Sequence, residues 1–164
     1  MINIFKSLGY ICIMKRQKIE LIYKVFDINE LPTEERLLVD AAFKATKRSY
    51  APYSQFHVGA AVMLDNGTIL TGTNQENAAY PSGLCAERTV LFYANSQYPD
   101  IAVKALAIAT MDAENVISPC GACRQVMIET ENRYGKPMRI LLCGPKEVYA
   151  IESAAHLLPL TFKL

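Results

Sequence analysis

The chain has 164 residues, 51% of them hydrophobic and 20% charged, with a formal net charge of +1. That length suits one domain with a real core, and the apolar content excludes a disordered chain. Near-neutral charge argues against a protein that grips a nucleic acid polymer, because such affinity comes from neutralising several phosphates. The apolar runs are also too short to span a bilayer. Five cysteines, an odd number in a chain too large to need staples, favour a reducing compartment such as the cytoplasm. They also favour thiols used for metal binding or chemistry.

In chain order, Leu8 to Met14 is a short apolar run followed by Lys15 and Arg16. A secretory signal carries its charge first and ends in small residues. Here the charge follows the run and no small-residue site comes after it, so residues 1–13 read as a non-essential leader, with natural translation expected to begin at Met14. Residues 1–30 form an N-terminal extension, within which Lys18 to Ile28 has the composition of a short strand. Residues 31–164 form the main domain. Pro32-Thr33-Glu34-Glu35 predicts a helix start, with Thr33 as the cap and two carboxylates at the positive end of the dipole. Leu37, Leu38, Ala41, Ala42 and Ala45 follow at helical spacing, and the segment with Pro52 ends that helix.

Phe56 to Leu64 predicts a buried strand, Asp65-Asn66-Gly67 a hairpin turn, and Thr68 to Thr73 the return strand. A polar loop leads through Pro81 and Gly83 to Cys85, which opens a second helix reaching Ala94. Ile101 to Thr110 is another buried strand. Ser118-Pro119-Cys120-Gly121 opens a third helix ending near Tyr134, and Met138 to Cys143 is a strand. Only Gly144 to Lys146 separate it from Glu147 to Ile151, too few residues for a parallel crossover, so that pair is expected to be antiparallel. This alternation predicts an α/β fold, a three-layer α/β/α sandwich around a mixed five-stranded sheet.

Cys120 and Cys123 form a C-x-x-C at a predicted helix start. Alone, that spacing fits half a zinc site, a redox pair or core cysteines. Cys85-Ala86-Glu87 upstream favours the metal, since three thiolates without a fourth protein ligand make an open tetrahedral site of the catalytic kind. A structural zinc would need a fourth ligand, and neither Cys143, Cys12, His57 nor His156 has a ligand-like spacing with the three. A redox pair would not need Cys85 and Glu87. Taken alone, Glu87 reads as a first-turn carboxylate favouring the helix dipole. Beside a metal it is a proton shuttle, as in the zinc-deaminase pattern whose Cys₃ form this sequence carries. Zinc with three thiolates has a formal charge of −1, which blunts its acidity. Helix N–H groups and the neighbouring Arg88 are the candidates to offset that charge.

The chain resembles the small homotetrameric zinc-dependent cytidine deaminases from about Glu34 to Phe162. The residues carrying the resemblance are Ala51-Pro52-Tyr53-Ser54, Phe56-His57-Val58-Gly59-Ala60-Ala61, Asn74-Gln75-Glu76-Asn77-Ala78, Cys85-Ala86-Glu87-Arg88-Thr89, Ser118-Pro119-Cys120-Gly121-Ala122-Cys123-Arg124-Gln125 and Leu157-Leu158-Pro159. The resemblance makes 31–164 a cytidine deaminase catalytic domain. It implies hydrolysis of free cytidine and deoxycytidine to uridine, deoxyuridine and ammonia, a pyrimidine salvage activity. One Zn²⁺ per subunit would sit on Cys85, Cys120 and Cys123, with Glu87 moving a proton from water to the pyrimidine N3.

Asn74 and Glu76 are implied to bind the ribose 3′-hydroxyl, each expected to offer acceptors. Phe56 is implied to pack near the base, and the Ala86 backbone to contact the pyrimidine. Arg88 is implied to hydrogen-bond a ligand sulfur, and Gln125 to support the loop carrying the second ligand pair. Phe162 is implied to close a neighbouring subunit's pocket in a homotetramer, with Tyr53 and Tyr80 near subunit contacts. The partner is a small nucleoside, with no polymer and no membrane. A deoxycytidylate enzyme would be expected to show phosphate-binding basic residues near the site.

Overall fold

A computed structural model describes residues 15–162. The expected start at Met14 and the leader before it lie outside that range. Six strands and three α-helices follow in the order β1 (Lys24–Asp27), α1 (Thr33–Thr46), β2 (Val58–Leu64), β3 (Ile69–Thr73), α2 (Ala86–Gln97), β4 (Val103–Thr110), α3 (Gly121–Tyr134), β5 (Arg139–Cys143) and β6 (Glu147–Ile151). They form one sheet in the order β1-β6-β5-β4-β2-β3. Among the described strands only β4 and β5 pair in parallel; β5 and β6 form the antiparallel hairpin their short connection required. Among the described residues no helix is long and apolar enough to cross a membrane.

The five-strand expectation is corrected to six. The added strand, β1, lies inside the segment read as an extension and pairs antiparallel with β6 at the sheet edge. It is four residues long with only Phe26 half-buried, so it carries almost no alternation to read. Thr33 is also not a cap. It is the first helical residue, Pro32 holds the cap position without a side-chain bond, and the Pro32 carbonyl accepts the first helical bond from Arg36. Glu34 and Glu35 do occupy the first turn.

The two sheet faces carry different side chains. Ala61, Met63, Ala105, Ala107 and Ala109 face α1, meeting Leu38, Val39 and Ala42. Val62, Leu106, Ile108, Ile140 and Leu142 face α2 and α3, meeting Val90, Leu91, Met127 and Ile128. This is the period-2 alternation of strands covered on both sides. The small residues on the first face let α1 lie close: a Cβ built on Gly59 would stand 2.1 Å from the Ala42 carbonyl oxygen. The β2–β3 turn is tight, with Gly67 at φ 83° donating to the Leu64 carbonyl at 2.8 Å, a conformation that suits a residue without Cβ.

Topology then positions the site. β3 and β4 both run antiparallel to β2, so they point the same way. Both β3→α2 and β4→α3 therefore leave the sheet at one end. The start of β2 lies at that end too, with Val58 opposite Thr110. Residues just before β2, just after β3, and at the N-termini of α2 and α3 converge there.

Candidate active site

Cys85 and Cys120 are the residues immediately before α2 and α3, both with extended backbone and neither side chain capping its helix. The first-turn N–H groups of both helices, which have no partner inside a helix, thus lie at the ends that carry these cysteines. Cys123 lies one turn into α3. The Cys85 and Cys120 sulfurs are 3.8 Å apart, those of Cys120 and Cys123 3.3 Å, and all three lie within 4.8 Å of one another. Tetrahedral zinc with sulfur at about 2.3 Å holds thiolates roughly 3.8 Å apart. The donor set fits zinc with little movement and leaves the fourth position open.

The charges around the sulfurs fit the same reading. Arg88 Nη2 lies 3.8 Å from Cys85 Sγ, the contact expected of it. Its Nε is buried without a partner among the described residues, beside sulfurs that become strong acceptors once ionised. A hydrogen bond from Cys123 and the Arg88 guanidinium pull the Cys85 thiol down to about 5, against the opposing effect of burial. Cys123 is pushed up, by that same hydrogen bond to Cys85 and then by burial. The Arg88 guanidinium thus favours the thiolate form that a metal needs. Replacing Arg88 by Ala is expected to keep the fold and to cost about 10- to 100-fold in zinc affinity or turnover. Zinc content after dialysis and initial rates check this; both unchanged would remove Arg88 from the site.

Glu87, in the first turn of α2, is only 4% exposed. Burial raises the pKa of its carboxyl, and the Cys85 charge adds to that rise. Its own N–H and the neighbouring Cys123 and Arg88 oppose that rise. Ala86 beside it is fully buried. A half-shielded glutamate serving only the helix dipole would face solvent; this one faces the thiols.

A cavity of about 530 Å³ opens beside Cys85 and Arg88, lined also by Tyr53, Ser54, Asn74, Glu76 and Tyr80. Phe56, half-buried, packs against the core on the α2 and α3 side and is not among the cavity's lining residues. The expectation that Asn74 offers an acceptor is corrected. Its Oδ1 already accepts from the Val58 N–H at 2.8 Å and from the Ser49 hydroxyl. Its Nδ2 donates to the Phe56 carbonyl at 2.8 Å. What remains is one N–H. The Glu76 carboxylate accepts from the Tyr53 and Ser54 N–H groups at 2.9 and 3.2 Å and from the Ser54 hydroxyl. That Ser54 bond is the largest of the effects holding its pKa below the usual range.

Gln125 does not support the second ligand loop; its Nε2 donates to the Phe162 carbonyl at 3.4 Å. The support comes from Arg124, which the sequence reading left without a role. Its guanidinium donates to the Pro119 carbonyl at 2.8 Å, the Leu157 carbonyl at 3.0 Å and the Ser118 hydroxyl at 2.9 Å. Its position directly after the second C-x-x-C thiol was the only available signal. Phe162 is 69% exposed and Tyr80 89% exposed.

Comparisons with known proteins agree with the geometry. The family model described as the cytidine and deoxycytidylate deaminase zinc-binding region matches residues 32–134. A cytidine deaminase from Sporosarcina psychrophila is 43% identical over 128 residues, covering 78% of this chain and 90% of the relative. One from Halalkalibacterium halodurans is 43% identical over 96 residues, covering 58% and 71%. The crystal structure of cytidine deaminase from Burkholderia pseudomallei superposes with a TM-score of 0.66 at 41% identity, covering 77% of this chain and 97% of that one. That from Mycobacterium tuberculosis gives 0.65 at 33%, covering 81% and 100%. With its three thiols, buried glutamate and adjoining cavity, and with the family model matching more than half its length, the chain belongs to the zinc-dependent cytidine deaminase family.

Proposed function

We infer that this protein hydrolyses free cytidine and deoxycytidine to uridine and deoxyuridine with release of ammonia. The observation that carries this is the burial of Glu87 beside the Cys85 and Cys123 thiols of a three-thiol cluster, with a cavity of about 530 Å³ opening at Cys85. Cys85, Cys120 and Cys123 would hold the zinc, which when bound supplies Lewis acidity that makes water nucleophilic near neutral pH. Glu87 takes a proton from the attacking water and delivers it to the pyrimidine N3, which makes C4 electrophilic. The same carboxylate then takes the proton of the hydroxyl now on C4 and passes it to the amine, so that the C4–N bond breaks, ammonia leaves and the C4 carbonyl forms. Burial suits both steps, since it brings the carboxyl's affinity for a proton closer to that of the groups it exchanges with. Arg88 holds positive charge against Cys85. Asn74 and Glu76, which line the cavity, face the sugar.

Residues 31–164 are the catalytic domain on this reading, and the family match beginning at residue 32 supports that boundary. The assembly is a homotetramer with pockets shared between subunits, a reading supported by exposed Phe162 and Tyr80. A cytoplasmic location suits thiols that must stay reduced. The test is cytidine loss followed by ultraviolet absorbance on the zinc-loaded protein, with light scattering of the active species. Turnover by a tetramer is expected. Bound zinc without turnover of any nucleoside would make the site structural, and an active monomer would refute the shared pocket.

A further inference from the structure

The sugar end of the cavity has a hydrogen-bonding polarity that follows from counting. An amide oxygen accepts two bonds, an amide nitrogen donates two, and a carboxylate accepts about four. Asn74 Oδ1 is filled by Val58 and Ser49, and one of its two N–H groups is used by the Phe56 carbonyl. Glu76 Oε2 is filled by the Tyr53 and Ser54 N–H groups, and Oε1 takes the Ser54 hydroxyl. The two side chains are left with one donor and one acceptor. That pair suits a hydroxyl, which accepts from Asn74 and donates to Glu76. It does not suit a phosphate ester, which has no proton to give the carboxylate and repels its charge.

Ser54 is the residue that sets this arrangement. Its hydroxyl is the only donor to Glu76 Oε1 among the described residues. Its oxygen in turn accepts from the Phe56 N–H at 3.1 Å. The segment around it is held in a bent form, with Gln55 in the left-handed region at φ 56° and its N–H bonded to the Ala51 carbonyl at 3.0 Å. A non-glycine residue keeps that conformation only where its surroundings enforce it.

We propose that Ser54 is a positioning residue for the sugar subsite: its hydroxyl orients Glu76 so that a single acceptor faces the nucleoside 3′-hydroxyl, and it ties that carboxylate to the segment carrying Phe56. The proposal rests on the deaminase reading. It goes further in assigning Ser54 a part in selecting nucleosides that carry a 3′-hydroxyl over those that lack it.

The experiment compares kcat and KM of zinc-loaded wild type, Ser54→Ala and Ser54→Thr on cytidine and 3′-deoxycytidine. Wild type is expected to prefer cytidine. Ser54→Ala is expected to lose about tenfold of that preference, the size of a hydrogen bond to a charged group, with most of the loss in KM for cytidine. Ser54→Thr, which keeps the hydroxyl, is expected to retain the preference. If Ser54→Ala lowers kcat/KM on both nucleosides by the same factor, the hydroxyl only stiffens the segment and the proposal is overturned. If Ser54→Thr behaves as Ser54→Ala does, the hydroxyl is not the cause and the proposal is overturned likewise. Wild type inactive on both nucleosides would sink the deaminase reading itself, a result distinct from either of these.

Discussion

Replacing Glu87 by Gln is expected to lower kcat for cytidine by at least about 10²-fold, the range lost with a general acid and base, while zinc content and melting temperature change little. The amide keeps the shape of the carboxyl. What it cannot do is take a proton from water and pass it on. Because Glu87 is buried with its carboxyl tilted toward the protonated form, the neutral amide removes a desolvation cost rather than adding one. Stability should therefore hold or rise slightly. Activity, metal content and thermal unfolding measured on one preparation give the answer, and a variant that keeps most of its turnover would leave the proton transfer without a carrier.

Gly72→Ala is expected to damage the site from a position that touches neither zinc nor nucleoside. A Cβ there would stand 2.7 Å from the Val90 nitrogen, 2.9 Å from the Val90 Cβ and 3.0 Å from the Ala86 carbonyl oxygen. Two of these are backbone atoms of α2, so no side chain can swing away. The helix must move off the sheet, and Cys85 and Glu87 move with it. Overpacking of this kind costs about 1–3 kcal/mol, and a 1 Å displacement of catalytic groups can cost about 10²-fold in rate. Gly59→Ala is the control. Its clash is with α1 on the opposite face, so it should destabilise at least as much yet leave zinc affinity and kcat of the folded fraction near wild type. Equal effects of the two on metal affinity would show that helix placement on one face does not govern the site.

Most of the fold was legible because its elements announce themselves locally. The β5–β6 hairpin followed from a three-residue connection, and the starts of α2 and α3 from cysteines at helix boundaries. The thiol cluster was legible for the same reason: a one-turn spacing places Cys120 and Cys123 together whatever the rest of the chain does. The place of β1 in the sheet is not legible in its residues, since an edge strand with one half-buried side chain gains its place from β6 rather than from its own pattern. The occupancy of Asn74 and Glu76 was not legible either. It depends on backbone N–H groups of Tyr53, Ser54 and Val58, and sequence shows side chains but not where a bent backbone points its donors. Arg124 and Gln125 were confused for a related reason. They are neighbours on α3, about 100° apart around the helix. Which of them meets the ligand loop depends on where the Leu157 segment returns.

The meeting of α2 and α3 at their N-termini also makes the thiol cluster a cross-link. Cys85 and Cys120 are 35 positions apart, and the chain between them holds α2 and β4. An unstrained covalent link closing a loop of that span removes about 4 kcal/mol worth of disorder from the unfolded chain, a large share of the roughly 5–15 kcal/mol that holds a domain together. A metal bridging those sulfurs acts on the same loop. The atoms that make the chemistry possible are then also among those that keep the chain folded. Drift at Cys85 or Cys120 would be opposed twice, once through catalysis and once through survival of the fold.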